Sequence, residues 1–253
     1  MRTMSLETGA LVMIDALGFR GIWRRFEPAT IIAKLHALKD VAEESMKGFD
    51  ITYTSRAAFL SDTIVIGLTP TGKVADRDAG EALVLLQAGF RVVYLTLLAL
   101  EKAPPIAYRG CISFGEFEIS GPFVLGEAVD EAAAHYEIAE GAFVWLTPSA
   151  KAVWDKKKLR IEPPDSCLVP YAVPLKQGAS YDTYAVSPFE AESDDRKRRR
   201  VRDTLLSTFD TPHSATTLGV QLKRQNTERF FHWVQQPGHL AVRRGGPWLK
   251  VRE

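Results

Sequence analysis

The N-terminal part of the chain alternates between short apolar runs and a helical repeat. A continuous apolar run at residues 10–15 predicts a buried strand. Apolar residues then recur at helical spacing from Pro28, which suits the first turn of a helix, to Gly48, a plausible helix end. Two further runs, at residues 49–55 and 63–68, are rich in β-branched and aromatic residues and predict strands.

The most apolar segment of the chain, residues 78–101, predicts a long helix. Its composition raises the question of a membrane span, but Gln87 and Arg91 lie in its middle, and a charge at mid-membrane is costly. The N-terminus also lacks the basic-then-apolar pattern of a signal peptide. We therefore interpret the segment as a buried core helix and expect a soluble, cytoplasmic protein without a membrane partner.

A further strand is predicted at residues 106–114, ending at Gly115. The order of elements is then β-α-β-β-α-β, the split βαβ pattern of ferredoxin-like sheets. In that topology the third strand lies between the first and the second and runs antiparallel to both. The pattern therefore predicts an α+β fold built on a ferredoxin-like βαββαβ core.

Additional strands and helices are predicted beyond this core. A helix is expected at residues 129–139 and a strand at residues 142–146. Two short strand-like runs follow at residues 168–175 and 183–186. From Ser193 onward the chain becomes polar and helical, and no internal repeat is evident.

Composition and charge narrow the classes of function only slightly. The 253 residues suit one large domain, or one domain with an extension, and a net charge of +1 gives no argument for nucleic acid or an anionic membrane. The basic run at residues 196–202 could contact nucleic acid, but it follows two aspartates and precedes two leucines. We therefore interpret it as a solvated helix face. The chain has two cysteines, Cys111 and Cys167, which are far apart and lack ligand-like spacing, so we expect neither a disulfide framework nor a cysteine-based zinc site.

Two aspartates are the most informative residues for function. Asp15 ends the first apolar strand, and Asp62 begins the third strand. If these strands are adjacent and antiparallel, both carboxylates lie at the same edge of the sheet. Gly18 and Gly21 mark a turn into a helix, and such a turn beside a carboxylate pair can hold divalent metal and phosphate. We therefore expect Asp15 and Asp62 to bind two Mg²⁺ or Mn²⁺ ions.

Four short motifs occur along the chain: an Asp-x-x-Gly-Phe turn at residues 15–19, a Ser-Asp hairpin at 61–62, an Arg-Gly-x-x-x-x-Gly-Glu strand at 109–116 and a Gly-x-x-Val-x-x-Ala-Ala helix at 126–133. Each has a simple structural explanation. In the strand motif, Arg109 can simply point to solvent. In the helix motif, the helix dipole stabilises acidic residues in the first turn without any functional role. Together and in this order, the motifs resemble the catalytic domain of class III nucleotidyl cyclases, the adenylate and guanylate cyclase family, over residues 8–150.

The resemblance implies a particular architecture and assembly. Domains of that family have a ferredoxin-like core and work as dimers, with active sites at the interface. With the resemblance, we assign residues 1–189 to a nucleotidyl cyclase catalytic domain. The polar, helical pattern of the remaining chain predicts a helical C-terminal extension over residues 190–253. Asp15 and Asp62 match the two metal-binding aspartates of the family, and a homodimer is expected.

The departures from the family pattern concern substrate choice. Cyclases that use adenine or guanine carry base-selecting residues near the places where Ala58 and Gly121 fall here, and neither residue can recognise a purine edge by hydrogen bonding. Asp130 replaces the asparagine that orients ribose, and Ala134, beside His135, replaces the transition-state arginine. This combination is similar to the pyrimidine cyclases of bacterial anti-phage (Pycsar) systems. Those enzymes make cyclic UMP or cyclic CMP to activate a separately encoded effector.

The expected reaction is the conversion of UTP, or CTP, to the 3′,5′-cyclic nucleotide and pyrophosphate. Contact with the base is expected from the segment between Tyr53 and Arg56, with Phe19 nearby. Arginine only donates hydrogen bonds, so Arg56 suits the O4 carbonyl of uracil and favours UTP. The residues expected to hold the nucleotide phosphates are Ala16, Leu17, Gly18, Phe19, Arg20 and Gly21.

The transition state of this reaction calls for a cation, and four arginines are candidates. The sequence does not choose among Arg20, Arg24, Arg56 and Arg109. Arg109 is included with Asp15 and Asp62 as a candidate catalytic residue. No protein nucleophile is required, because the attacking 3′-hydroxyl belongs to the substrate.

Two other classes of function remain open. Loss of the usual helix asparagine and arginine favours a non-catalytic nucleotide sensor on the same fold. A βαββαβ core with two aspartates also serves nucleic-acid polymerases and nucleases. Polymerases generally need a larger chain to handle a template, and the net charge of +1 is near neutral, so we expect no nucleic-acid partner.

Overall fold

The structure is a computed structural model that describes residues 6–19, 21–45, 53–72, 76–156, 166–189, 194–210 and 217–236. Within these ranges the chain forms eight strands and six α-helices. In chain order they are β1 (Glu7–Leu17), α1 (Pro28–Ser45), β2 (Tyr53–Leu60), β3 (Thr63–Pro70), α2 (Arg77–Glu101), β4 (Ala107–Ser120), β5 (Phe123–Leu125), α3 (Glu127–His135), β6 (Val144–Leu146), α4 (Pro148–Lys156), β7 (Leu168–Pro174), β8 (Ser180–Val186), α5 (Asp195–Ser207) and α6 (Leu218–Val234).

A single mixed sheet organises the molecule. Its strand order is β2-β3-β1-β4-β6-β8-β7, and β5 pairs with β4 outside this path. The third strand lies between the first and the second and is antiparallel to both, while β4 pairs antiparallel to β1 on its other side. The predicted α+β fold with a βαββαβ core is therefore confirmed, and the added strands continue the sheet beyond β4.

Alternating side chains of β1 divide the core into two clusters, one on each face of the sheet. Ala10, Val12 and Ile14 face the cluster that contains residues of α1, α2 and α4. Leu11 and Met13 face the cluster that contains residues of α3, α5 and α6. Because successive side chains of a strand point to opposite faces, residue 15 belongs to the second face.

Helix α2 is the buried core helix that the sequence predicts. By length and composition it is apolar enough to span a membrane, with a mean hydropathy of 2.0 over its most apolar window, yet 61% of that window is buried inside the protein. Arg91 is buried too, and its Nη2 donates a hydrogen bond of 3.3 Å to the hydroxyl of Tyr53. The Asp76 carboxylate caps the helix by accepting bonds from two backbone N–H groups of the first turn.

Two predicted strands have different ends in the structure. The strand expected at residues 49–55 is described only from Tyr53 and continues to Leu60, because a two-residue hairpin pairs β2 with β3 along the whole of both strands. Gly48 and residues 49–52 lie outside the described residues. The strand expected to end at Gly115 continues to Ser120, so this part of the prediction is wrong.

Strand β4 continues through Gly115. The absence of a side chain at this residue makes room for Glu127, at the start of α3. A Cβ at this position would lie 2.8 Å from a carboxylate oxygen of Glu127, at the start of α3. The glycine thus lets the helix approach the strand while pairing continues. Helix α3 is also shorter than the span of residues 129–139 predicted for it, and it ends at His135.

The C-terminal helices pack on the second face of the sheet. Phe231 contacts Phe189, with ring centroids 4.7 Å apart, and Phe230 contacts Tyr171 at 4.8 Å. The basic run lies on α5, where most of its side chains are exposed and two of them pair with aspartates of the same helix. The described part of the extension is therefore helical, as predicted, and shares a hydrophobic cluster with the sheet.

Candidate metal and nucleotide site

The two aspartates meet at one edge of the sheet. Asp15 is paired in register with Thr63 of the neighbouring strand, and Asp62 directly precedes Thr63 in the hairpin between β2 and β3. The Thr63 hydroxyl donates a hydrogen bond of 3.2 Å to Asp15 Oδ1. Ser61 begins the two-residue loop of the hairpin with a φ of 62°, a positive value that is uncommon for residues other than glycine. The tight turn thus places Asp62 beside Asp15.

Arg109 lies on the other side of Asp15, directly opposite it on β4. Its Nη2 is 3.6 Å from Asp15 Oδ2, and the two side chains are only 11% and 16% exposed. The same Nη2 is 3.1 Å from Glu137 Oε1, and Nη1 donates to the Glu137 carbonyl oxygen at 3.3 Å. The simple explanation that Arg109 points to solvent is therefore wrong.

Burial and nearby negative charges disfavour the ionised form of Asp15. Burial raises its pKa above the ordinary value of 3.8, the charges of Asp62 and Glu137 raise it further, and Arg109 and the Thr63 hydrogen bond oppose the rise. A divalent cation between the carboxylates would relieve this repulsion. Among the described residues no group of three or more His, Cys, Asp and Glu side chains could hold a metal. Two carboxylates completed by substrate phosphates are a common Mg²⁺ arrangement, so the residues present fit the ion.

The loop expected to hold phosphates is shorter than predicted. Ala16 and Leu17 continue β1 and pair with β4, so the loop begins at Gly18. Gly18 and Gly21 have φ values of 70° and 79°, a left-handed backbone that favours glycine. Arg20 lies outside the described residues. Open space therefore lies beside Gly18 and Gly21, the two described glycines of this loop.

Side chains and backbone bonds around this turn fix its shape. The backbone N–H of Ile22 donates to the Phe19 carbonyl at 2.9 Å, at the start of a short 3-10 helix, Ile22–Arg24. Arg25 Nη2 donates to the Gly18 carbonyl at 3.0 Å, while Phe19 packs against the first-face cluster. Arg24 is exposed. Arg25, which the sequence did not single out, thus helps to hold the loop beside Asp15.

Tyr53 is not brought to the aspartates. It begins β2 and pairs with Pro70, so it lies at the opposite end of the hairpin from Asp62. Leu60 is seven positions further along the strand, a distance of roughly 23 Å. Its side chain is 2% exposed and its hydroxyl accepts the bond from Arg91, which identifies a core tyrosine.

Arg56 is also remote from the aspartates within one subunit. It pairs with Gly67, four residues before the end of β2, or roughly 13 Å along the strand. Its guanidinium forms ion pairs with Glu7 Oε1 at 2.7 Å and with Glu118 Oε1 at 3.0 Å. The structure thus assigns Arg56 two carboxylate partners, and within the subunit it does not join the aspartate site.

The residues at the places that select the base in purine cyclases are separated from each other. Ala58 is buried in β2 and faces the second cluster. Gly121 is exposed in the turn between β4 and β5, with a φ of 60°. Neither position presents a polar side chain, as the sequence indicates.

The replaced family positions lie on α3. Asp130 and Ala134 are exposed and one helical turn apart. His135 is half-buried, its Nδ1 lies 2.7 Å from the Glu131 carbonyl oxygen, and its ring meets Trp145 edge-on. A hydrogen-bonded, packed imidazole is explained by structure alone, whereas the other two side chains are open to a partner or ligand.

Sequence reasoning missed two residues of the site, Thr63 and Glu137. Thr63 could have been found, because it follows Asp62 and the predicted antiparallel register places it opposite Asp15. Glu137 carries no such signal, since it follows α3 in an irregular segment and reaches Arg109 only through the tertiary fold.

The chain was also compared with known proteins. No protein-family model and no curated protein matches the sequence. Among solved structures, the guanylate cyclase domain of RhGC from Catenaria anguillulae in complex with GTP is 15% identical, with a TM-score of 0.48 over 72% of this chain and 96% of that chain. The adenylyl cyclase CyaB from P. aeruginosa is 12% identical, with a TM-score of 0.44 over 72% of this chain and 96% of that chain. A bacterial light-regulated adenylyl cyclase is 11% identical, with a TM-score of 0.47 over 80% of this chain and all of that chain.

These similarities are low. At identities of 11–15% and TM-scores of 0.44–0.48, they support no statement about the activity of this chain. The functional argument therefore depends on the site and on the sequence motifs that form it.

Proposed function

We propose that this protein is a nucleotidyl cyclase that converts a pyrimidine nucleoside triphosphate to the 3′,5′-cyclic nucleotide and pyrophosphate. The observation that carries the proposal is the half-buried pair of Asp15 and Asp62 at one sheet edge, with Arg109 beside it and an open glycine turn next to it. Three of the four motifs, those that contain Asp15, Asp62 and Arg109, meet at this edge. The four motifs and their order along the chain support the proposal that the protein is a class III cyclase.

The proposed chemistry follows from these residues. Asp15 and Asp62 would hold two Mg²⁺ or Mn²⁺ ions, which activate the attacking oxygen and neutralise the phosphates. The substrate 3′-hydroxyl gives its proton to water, and its oxygen bonds to the α-phosphorus. The bond from that phosphorus to the bridging oxygen breaks, so that pyrophosphate leaves. Backbone N–H groups of Gly18, Phe19 and Gly21 would donate hydrogen bonds to the phosphates, and Arg109 would supply positive charge at the same edge.

The choice of a pyrimidine rests on what is absent from Ala58 and Gly121. A purine site needs donors and acceptors further from the ribose, and neither residue offers a side-chain donor or acceptor. The preference for UTP over CTP rested on Arg56, whose guanidinium pairs with Glu7 and Glu118. UTP is therefore the first substrate to test and CTP the alternative.

The biological role we propose follows the same resemblance. A cyclic pyrimidine nucleotide would act as a second messenger in bacterial anti-phage defence and activate a separately encoded effector. We further propose that the enzyme is a cytoplasmic homodimer with composite sites.

Product analysis tests the proposed activity. The purified protein is incubated with each of the four nucleoside triphosphates and Mn²⁺ or Mg²⁺, and products are identified by mass spectrometry. We expect cyclic UMP or cyclic CMP from the wild type and from Asp203→Asn, a control at a surface aspartate of α5, and none from Asp15→Asn or Asp62→Asn. Cyclic AMP or cyclic GMP as the main product would refute the pyrimidine proposal.

A second candidate is a nucleotide sensor without turnover. It is favoured by the exposed Asp130 and Ala134 on α3, where an active family member has asparagine and arginine. The sensor predicts that UTP or CTP binds with Mn²⁺, measured by calorimetry, and is recovered unchanged. Turnover in the product assay excludes it.

A further inference from the structure

Arg109 is shared between two acids, and it lies closer to the one that the sequence does not predict. Its Nη2 is 3.1 Å from Glu137 Oε1 but 3.6 Å from Asp15 Oδ2. Nη1 donates to the carbonyl oxygen of Glu137, so the same residue holds the guanidinium through its side chain and its backbone. Glu137 is therefore the main anchor of Arg109.

The contact with Asp15 is correspondingly incomplete. An arginine and a carboxylate usually pair through two parallel N–H···O bonds. Here a single nitrogen approaches Asp15, at a distance longer than a hydrogen bond, and the buried Nε of Arg109 has no hydrogen-bond partner among the described residues. Asp15 therefore lies near the Arg109 guanidinium without forming a two-bond ion pair with it.

This distinction matters for metal binding. A divalent ion and a guanidinium compete for the same carboxylate oxygens, and a two-pronged ion pair with Arg109 would occupy both oxygens of Asp15. The anchor itself is 47% exposed at its side chain, so its contact with Arg109 is not imposed by core packing.

We propose that Glu137 is a positioning residue that holds Arg109 away from a closed ion pair with Asp15 and so keeps Asp15 free for a divalent cation. The proposal rests on the proposed function, because it assumes that Asp15 binds the ion. It deepens that function by assigning a role to an acid outside the family motifs. Glu137 acts through Arg109 and need not touch the metal.

Mn²⁺ binding without nucleotide tests the proposal by a readout other than activity. Electron paramagnetic resonance gives the free Mn²⁺ concentration for the wild type, Glu137→Gln and a matched control, Glu140→Gln, in the same segment. We expect Glu137→Gln to weaken Mn²⁺ binding on the order of fivefold, as an ion pair of this exposure allows. Glu140→Gln is expected to bind like the wild type. Glu137→Asp keeps the charge and is expected to bind more tightly than Glu137→Gln.

The Arg109→Gln background separates positioning from a direct effect of charge. There Mn²⁺ binding should be at least as tight as in the wild type, and adding Glu137→Gln should change it less than about twofold. An equal loss in both backgrounds would mean that Glu137 attracts the ion directly, which overturns the proposal. Unchanged binding in Glu137→Gln, with circular dichroism showing a folded protein, also overturns it and leaves the metal site intact. Absence of Mn²⁺ binding by the wild type would instead remove the metal site itself, and the proposal with it.

Discussion

At the scale of single residues, the proposed metal ligand Asp15 lowers the stability of the metal-free protein, because its ionised form is unfavourable where it lies. Asp15 sits among Asp62, Glu137 and Arg109 at the edge of a buried strand, and the balance of these charges disfavours its ionised form. Such a group is tolerated because the surrounding strands fix it in place. A bound cation would remove the cost, so the same residue should link stability, pH and metal.

Replacing Asp15 with asparagine should stabilise the metal-free protein at neutral pH. The pKa of Asp15 is raised in the folded state, so ionisation above that pKa lowers the free energy of unfolding, and the penalty disappears below the ordinary value of 3.8. In EDTA, we expect Asp15→Asn to unfold at a higher temperature than the wild type at pH 7 and at the same temperature near pH 3. Asp182→Asn, at an exposed position, serves as the control. A less stable Asp15→Asn at pH 7 would mean that the ion pair with Arg109 outweighs burial.

Two buried tyrosines offer a matched pair for measuring hydroxyl burial. The Tyr108 hydroxyl has no hydrogen-bond partner within the described part of the chain, whereas the Tyr53 hydroxyl accepts a bond from Arg91. We expect Tyr108→Phe to leave the free energy of unfolding unchanged or raise it by about 1 kcal/mol, and Tyr53→Phe to lower it by about 1 kcal/mol. Urea titration measures both. A clear loss in Tyr108→Phe would reveal a partner for this hydroxyl.

The sequence was enough to predict where some residues of the candidate site lie, but not others. Asp15 and Asp62 were predictable, because each borders an apolar run and the order of the elements fixes which strands are adjacent. The environment of Arg109 was not predictable. Its position on a strand does not tell whether the side chain points to solvent or contacts a neighbouring carboxylate. Tyr53 and Arg56 precede Asp62 in sequence, but an extended strand carries them away from it.

At the scale of elements, the topology was predictable and several boundaries were not. Hydrophobic period and turn residues identified both core helices and the four core strands. The ends depend on tertiary partners: β4 passes through Gly115 because the glycine accommodates Glu127, and β5 is too short for a periodic signal. A glycine in a strand can mark close packing as well as an end.

A buried lysine of α1, Lys34, hydrogen-bonds to carbonyl groups at the end of α2. Lys34 Nζ donates to the carbonyl oxygens of Leu98 at 2.8 Å and Lys102 at 3.1 Å, at the end of α2 where helix carbonyls lack partners. We expect Lys34→Met, of similar length, to lower the free energy of unfolding by about 1–3 kcal/mol. Lys176→Met, at an exposed position, should change it by less than about 0.5 kcal/mol in the same urea titration. Equal stability of the two variants would show that the Lys34 bonds contribute nothing net.

At the scale of the whole molecule, the sheet is covered by helices on both faces, and large apolar side chains are exposed at several places, among them the hairpin of β4 and β5. Phe123 and Leu125 on β5 are 73% and 47% exposed. The strand pairs only with the far end of β4, outside the main path of the sheet. An apolar pair at the tip of a hairpin is suited to contact with a second subunit.

The proposed homodimer can be tested by mutation of this hairpin. We expect light scattering to give twice the chain mass of 28.1 kDa, and Phe123→Ser to shift the protein towards monomer with loss of cyclase activity. Leu218→Ser is the matched control, because Leu218 on α6 is also 73% exposed and lies on a different element. It should leave both mass and activity unchanged. If the sites are composite, the activity per subunit of Phe123→Ser should rise with protein concentration as the dimer reforms. A wild-type monomer with full activity would exclude composite sites, and equal behaviour of the two serine variants would exclude the hairpin as the contact.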